Sequence, residues 1–190
     1  MDKPVNDKKD GSLFERFEEK TVKSELVFSG KILKVFFDKI MLPNSGYATR
    51  EKVSHPGAVA IVPVTADRMV ILVKQFRYPL KEILIEIPAG KLDGDEPAIE
   101  CARRELFEEA GAVDGTLSHL ITIYTSPGFS DEKMEIFLAT DFKEKSNNPD
   151  SDEFLYIFRA PMDECIQMIR DGRITDAKTV IGILCARFLI

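Results

Sequence analysis

Residues 87–112, IPAGKLDGDEPAIECARRELFEEAGA, constrain the fold more than any other stretch of this chain. Ile99, Ala102 and Leu106 recur at spacings of three and four, the period of a helix with one buried face. Pro97 lies close to the start of that pattern and Gly111 stops it. Glu105, Glu108 and Glu109 stand at i, i+3 and i+4, so three carboxylates share one helix face with Cβ atoms roughly 5–6 Å apart. Like charges so placed repel, and divalent cations would remove the repulsion. Hard carboxylate oxygens suit Mg²⁺ or Mn²⁺, and a site acting on phosphate leaves coordination positions for water and substrate oxygens. Arg104, one turn before Glu108, can orient the carboxylates without touching substrate. Gly90, after the Ala89 carbonyl, lets the backbone approach an ion or the helix closely. Taken alone, three glutamates equally describe a solvated acidic face, the commoner setting of a charge run.

The surrounding sequence is mostly strand-like. ELVFSG and KILKVFFDKIML, joined near Gly30, and a segment at 48–54 read as β structure before the change at His55-Pro56-Gly57. GAVAIVPVT and MVILVKQF are strongly apolar and flank ADR at 66–68, which predicts a hairpin. Further strands are expected at 83–87, 118–125, 133–140 and from Phe154, with helices over 161–170 and 177–189. The polar stretch 143–153 reads as a loop, and residues 1 to about 12 as a mobile tail. Strands around one central helix and one or two later ones predict an α/β/α sandwich on a mixed sheet. A division follows at residue 55: residues 1–54 form a tail and small N-terminal β region, and residues 55–190 form the main domain that carries the glutamate helix.

Charge narrows the partners. Lys and Arg total 26 against 32 Asp and Glu, a net charge of -6, which lacks the footprint of a nucleic-acid or membrane-surface binder. Cys101, Cys165 and Cys185 are odd in number and form no CxxC pair, so they read as small buried hydrophobes in a reducing compartment. With no apolar run of spanning length and a charged start, cytoplasm is the expected location.

Written out, the central segment is Gly90, five residues, Glu96, seven residues, Arg104-Glu105-Leu106, one residue, Glu108-Glu109, one residue, Gly111 and Ala112. It resembles the Nudix box, the signature of hydrolases of nucleoside diphosphates linked to another moiety. Eight specified positions within 23 residues match, and only Ala112 is smaller than the usual aliphatic residue. The resemblance implies an α/β/α sandwich in which Glu105 and Glu109 bind Mg²⁺ beside the pyrophosphate, with the Ala89 carbonyl completing the shell. It makes Glu108 a further ligand or a polariser of coordinated water, and gives Glu96 a role in loop geometry.

Outside the box, SGKILKV, TREKVSHPGAVA, VKQFRYPL, the proline of TSPGFSDE and the late DAKT resemble the ADP-ribose pyrophosphatase branch of that family. Pro127 lies fifteen residues beyond the box, where that branch carries proline. The likeness implies hydrolysis of ADP-ribose to AMP and ribose 5-phosphate, with GDP-mannose or another nucleoside diphosphate sugar as the alternative substrate and a silent nucleotide-binding domain as the alternative class. It makes Arg50 and Arg77 candidates for binding phosphate or covering a purine. Ser126 and Pro127 would limit one side of the pocket, and Glu132 would contact ribose or support the site. In that branch a glutamate on a loop before the last strand activates the attacking water, and Glu153 is the first choice, with Asp150 and Asp152 open. Homodimers are also expected, the N-terminal strands reaching the partner's pocket.

Overall fold

The computed structural model describes residues 11–146 and 154–189. The tail before residue 11 and the acidic tip 147–153 lie outside the described residues. The chain divides into two units, one running to His55 and including Ser126–Asp131, the other comprising Pro56–Thr125 and the chain from Glu132 onward.

The first unit opens with helix α1 (Gly11–Phe17) and continues as an antiparallel sheet of β1 (Lys20–Ser29), β2 (Lys34–Met41) and β3 (Tyr47–Ser54), in that order. Every residue of β1 is exposed, whereas Asp38 and Ile40 of β2 are buried. The loop 126–131 joins this unit through a parallel bridge from Val53 to Ser130.

The second unit begins with β4 (Ala58–Pro63), β5 (Met69–Arg77), β6 (Glu82–Glu86) and β7 (Ala89–Lys91), followed by α2 (Ala98–Ala110). Then come β8 (Ala112–Val113), β9 (Thr116–Tyr124), β10 (Lys133–Thr140), β11 (Lys143–Glu144), β12 (Tyr156–Pro161), α3 (Met162–Arg170) and α4 (Ala177–Arg187). One sheet runs β7-β4-β10-β9, with β4 and β10 parallel, and a second runs β12-β5-β6.

Two expectations are corrected here. The turn at 66–68 forms, with Thr65 N–H bonded to Met69 O at 2.9 Å, but β4 and β5 separate into different sheets beyond an isolated bridge from Val64 to Val70. Both strands bury long apolar runs, and each obtains two other backbone partners by parting: β7 and β10 for β4, β6 and β12 for β5. The loop read from residue 143 also begins with the short strand β11, which pairs with β8.

Alternation along β4 builds two layers of core. Val59 and Ile61 pack with Cys101, Ala102 and Leu106 of α2, while Ala58, Ala60 and Val62 pack with Cys165 and Met168 of α3 and Ile183 of α4. Strand β10 repeats the pattern, with Phe137 and Ala139 on the α2 side and Met134, Ile136 and Leu138 on the other. Burying each valine, leucine, isoleucine, phenylalanine or methionine of these layers stabilises by roughly 1.5–3 kcal/mol. The second unit is therefore an α/β/α sandwich around a mixed sheet.

Candidate active site on helix α2

Pro97 precedes α2 in extended conformation, and Gly111 ends it at φ 64°, a left-handed geometry open to glycine, with its N–H on Phe107 O at 2.9 Å. Glu105 and Glu109, at 7% and 3% exposure, lie on the same buried face as Cys101, Ala102 and Leu106. That placement rules out a solvated acidic face for these two. Glu108 stands at the rim, about a quarter exposed.

Both buried carboxylates are seated against β7. Glu109 Oε2 accepts the Ala89 N–H at 2.9 Å. Glu105 lies directly over Gly90, where a Cβ would come within 1.8 Å of its Oε1. A glycine is needed there because any side chain would occupy the carboxylate's place.

Arg104 ties the helix to the preceding loop. Its Nη1 donates to Glu105 Oε1 at 2.6 Å and Glu108 Oε2 at 3.0 Å, while Nε and Nη2 donate to Glu96 at 3.3 and 3.1 Å. Bonds to Glu96 first, and the charge of Glu105 next, hold the guanidinium above its ordinary value. The same bonds hold the Glu96 carboxyl below its own. Beneath them Cys101 is a packing residue, its thiol pushed up to about 12 by burial.

A second polar cluster lies in the same unit. Glu86, at the end of β6, is 1% exposed and accepts Arg77 Nε at 2.7 Å and Nη2 at 2.6 Å, together with Lys178 Nζ of α4. Lys178 also reaches Asp176 Oδ2 at 3.0 Å. Asp176 caps α4 by accepting Thr179 N–H, and Thr179 Oγ1 accepts the Ile87 N–H at 2.9 Å. Burial alone would raise the Glu86 carboxyl, but Arg77 and Lys178 outweigh it and hold it low. Arg77 is raised in turn, first by its bond to Glu86, with Asp176 and Glu109 adding their charge. Sequence reasoning missed Glu86 and gave Lys178 and Thr179 no role. The available signal was a glutamate ending the apolar strand EILIE.

The remaining candidates are distributed between the units. Arg50 belongs to the first, where it pairs with Glu19 and donates to Thr49 O. Ser126 and Pro127 belong there too, in a turn in which Ser126 O accepts the N–H groups of Phe129 and Ser130. A concave surface of about 420 Å³ on the first unit's sheet, lined by Lys23, Glu25, Phe37, Lys39, Tyr47, Ala48 and Thr49, contains none of the predicted site residues. Arg77 and Glu132 belong to the second unit, and Glu132 accepts the Thr125 hydroxyl at 2.6 Å. Glu153, Asp150 and Asp152 lie outside the described residues.

The NUDIX domain family matches residues 54–180. The chain belongs to the Nudix family. As a Nudix protein it is a hydrolase of nucleoside-diphosphate-linked compounds. It is 43% identical over 170 residues to a methanol dehydrogenase activator of Bacillus methanolicus, a match covering 88% of this chain and 91% of that one. It is 40% identical over 168 residues to an ADP-ribose pyrophosphatase of Bacillus subtilis, covering 87% and 91%. It is also 35% identical over 134 residues to a GDP-mannose pyrophosphatase of Pectobacterium atrosepticum, covering 66% and 69%.

Nudix membership implies dependence on a divalent metal. Among the described residues no three His, Cys, Asp or Glu side chains converge as a ready cluster. Glu105 and Glu109 nonetheless flank the Ala89–Gly90 backbone, in a cradle that a Cβ would fill. A donor set of carboxylates and a backbone carbonyl fits a hard cation.

Proposed function

We propose that this Nudix hydrolase cleaves the pyrophosphate of ADP-ribose to AMP and ribose 5-phosphate, with Mg²⁺ as cofactor and Mn²⁺ able to replace it. The observation that carries the reading is the seating of Glu105 and Glu109 against Ala89 and Gly90, because it sets two carboxylates of one helix beside the same stretch of backbone, hard oxygen donors of the kind that suit a divalent cation. Glu105, Glu109 and the Ala89 carbonyl would hold the ion, with Glu108 at its edge. The ion supplies charge neutralisation at the pyrophosphate and acidity to water.

The protein's own groups do the rest. Arg104 keeps Glu105 and Glu108 oriented through its bonds to both. Arg50 and Arg77 bind the phosphates or the purine, Ser126 and Pro127 bound the pocket, and Glu132 contacts ribose. Glu153 accepts the proton of the water that attacks phosphorus. A reducing cytoplasm suits the free thiols of the described cysteines. A second copy of the chain would cover the first unit's sheet, whose exposed Val22, Leu26, Phe28 and Phe37 are costly to leave in water. In this assembly the N-terminal region 1–54 serves dimerisation while 55–190 carries the chemistry.

The relative that bears the name GDP-mannose pyrophosphatase supports a second substrate for the same helix. Parallel hydrolysis of ADP-ribose, GDP-mannose, UDP-glucose and NADH, with and without Mg²⁺, separates the readings. ADP-ribose should give the highest kcat/KM, and a preference for GDP-mannose beyond about tenfold, roughly 1.4 kcal/mol, moves the assignment. An arm with methanol dehydrogenase tests the description borne by the other relative, an increase in that enzyme's rate being the positive result.

A further inference from the structure

The backbone that bears the site, Glu86 to Gly90, connects β6 to β7 and is pinned by side chains of β5, α2 and α4 and by the backbone of β4. The Glu86 side chain is held by Arg77 and Lys178, and the Ile87 N–H by Thr179 Oγ1. Pro88 O accepts the Ile61 N–H at 2.9 Å, and the Ala89 N–H meets Glu109. Lys178 and Thr179 are 8% and 0% exposed, so neither is placed for surface charge. An ion pair this far from water is costly to form and strongly penalised when one partner is removed, so it fixes one arrangement of the helix and strand it joins.

We propose that Lys178, acting with Thr179 through Glu86 and Ile87, is a positioning residue for the cation site. α4 anchors the segment whose Ala89 N–H orients Glu109 and whose Gly90 receives Glu105. Lys178 also supplies the second positive charge on Glu86, leaving that carboxylate compensated without depending on Arg77. The proposal rests on the hydrolase reading above for the role of Glu105 and Glu109. It assigns new work to residues 92 positions away in sequence from Glu86 and Ile87.

The test compares the parent with Lys178→Met, Lys178→Arg and Thr179→Val, each checked for folding by circular dichroism. Mn²⁺ binding is measured without substrate from the free-ion electron paramagnetic resonance signal, and kcat and KM are measured for ADP-ribose. Lys178→Met and Thr179→Val should each weaken Mn²⁺ binding at least about fivefold and lower kcat more than about tenfold, with KM within about threefold. Lys178→Arg, which retains the charge, should recover most of the binding. Folded Lys178→Met and Thr179→Val proteins that bind Mn²⁺ within about twofold of the parent overturn the proposal, even if their melting temperatures fall. Should Lys178→Met not fold, Thr179→Val decides by the same thresholds. A parent that neither hydrolyses ADP-ribose nor loses Mn²⁺ on Glu109→Gln refutes the hydrolase reading itself, a result separable from normal parental behaviour with indifferent variants.

Discussion

Replacing Gly90 by alanine adds one methyl group at the point where strand and helix are closest. The new Cβ would lie 1.8 Å from Glu105 Oε1, 1.9 Å from Cδ and 2.5 Å from Oε2. To regain ordinary contact at 3.4 Å the carboxylate must retreat by about 1.6 Å. Gly90 is absent from the glycines with positive φ, so alanine adopts its backbone and the conflict is confined to Glu105. Moving that carboxylate also breaks its 2.6 Å bond to Arg104. Overpacking of this kind costs about 1–3 kcal/mol of stability, whereas a group displaced by more than an ångström costs about 100-fold in turnover. Urea unfolding and ADP-ribose hydrolysis should therefore diverge, with a folded protein that is nearly inactive. In a Glu105→Ala background the same substitution should cost little stability, because its collision partner is gone. Turnover within about threefold of the parent, or an equal stability cost in both backgrounds, would refute the reasoning.

Glu153→Gln should depress kcat strongly while changing Mg²⁺ affinity less than about threefold, since a base need only reach the attacking water. A large kcat loss confined to Asp150→Asn or Asp152→Asn transfers the role to that residue, and normal turnover in all three variants points to Glu108. Glu86→Gln should lose about 3–5 kcal/mol of stability at neutral pH by removing the buried anion that Lys178 and Arg77 share, leaving only Asp176 beside Lys178. Burial pushes Glu86 up but its two cations overcompensate, so the folded carboxyl titrates below the unfolded value of about 4.3. Its stabilisation is thus fully present above that value and is lost as pH falls through the folded one. Unfolding of parent and variant between pH 7 and 3 should show the gap closing on acidification, and a widening gap contradicts the assignment.

The helix was legible because two patterns coincide on it. The apolar period placed Ala102 and Leu106 inward, and Glu105 and Glu109 share that stripe, which their charge alone would not suggest. The apolar run of β4 likewise foretold a strand, but strand partners depend on contacts distant in sequence, so the separation of β4 from β5 could not be read from a turn that does form. Strand β7 escaped notice because Pro88-Ala89-Gly90 carries turn residues, and its pairing with Ala58, Val59 and Ala60 of β4 overrides their local preference. Arg77 shows the same limit at the level of side chains. An arginine after an apolar run does not disclose its protein partner: the ladder sets Arg77 opposite Glu82 and Glu86 opposite Val73, yet the guanidinium reaches Glu86 in a bidentate bond. Lys178 and Glu86 meet only because α4 returns to the sheet, which no local spacing encodes.

The central claim is that the buried glutamates of α2 act through a divalent cation on a nucleoside-diphosphate-linked substrate. Glu109→Gln keeps the size of the side chain and removes its charge. The most direct measurement is the rate of AMP release from ADP-ribose by the parent and this variant, each at saturating Mg²⁺ and in excess chelator. The account predicts parental turnover that vanishes with chelator and falls at least about 100-fold in the folded variant, the several kcal/mol expected of metal stabilisation. Chelator-resistant turnover, or a variant within about threefold of the parent, would contradict it.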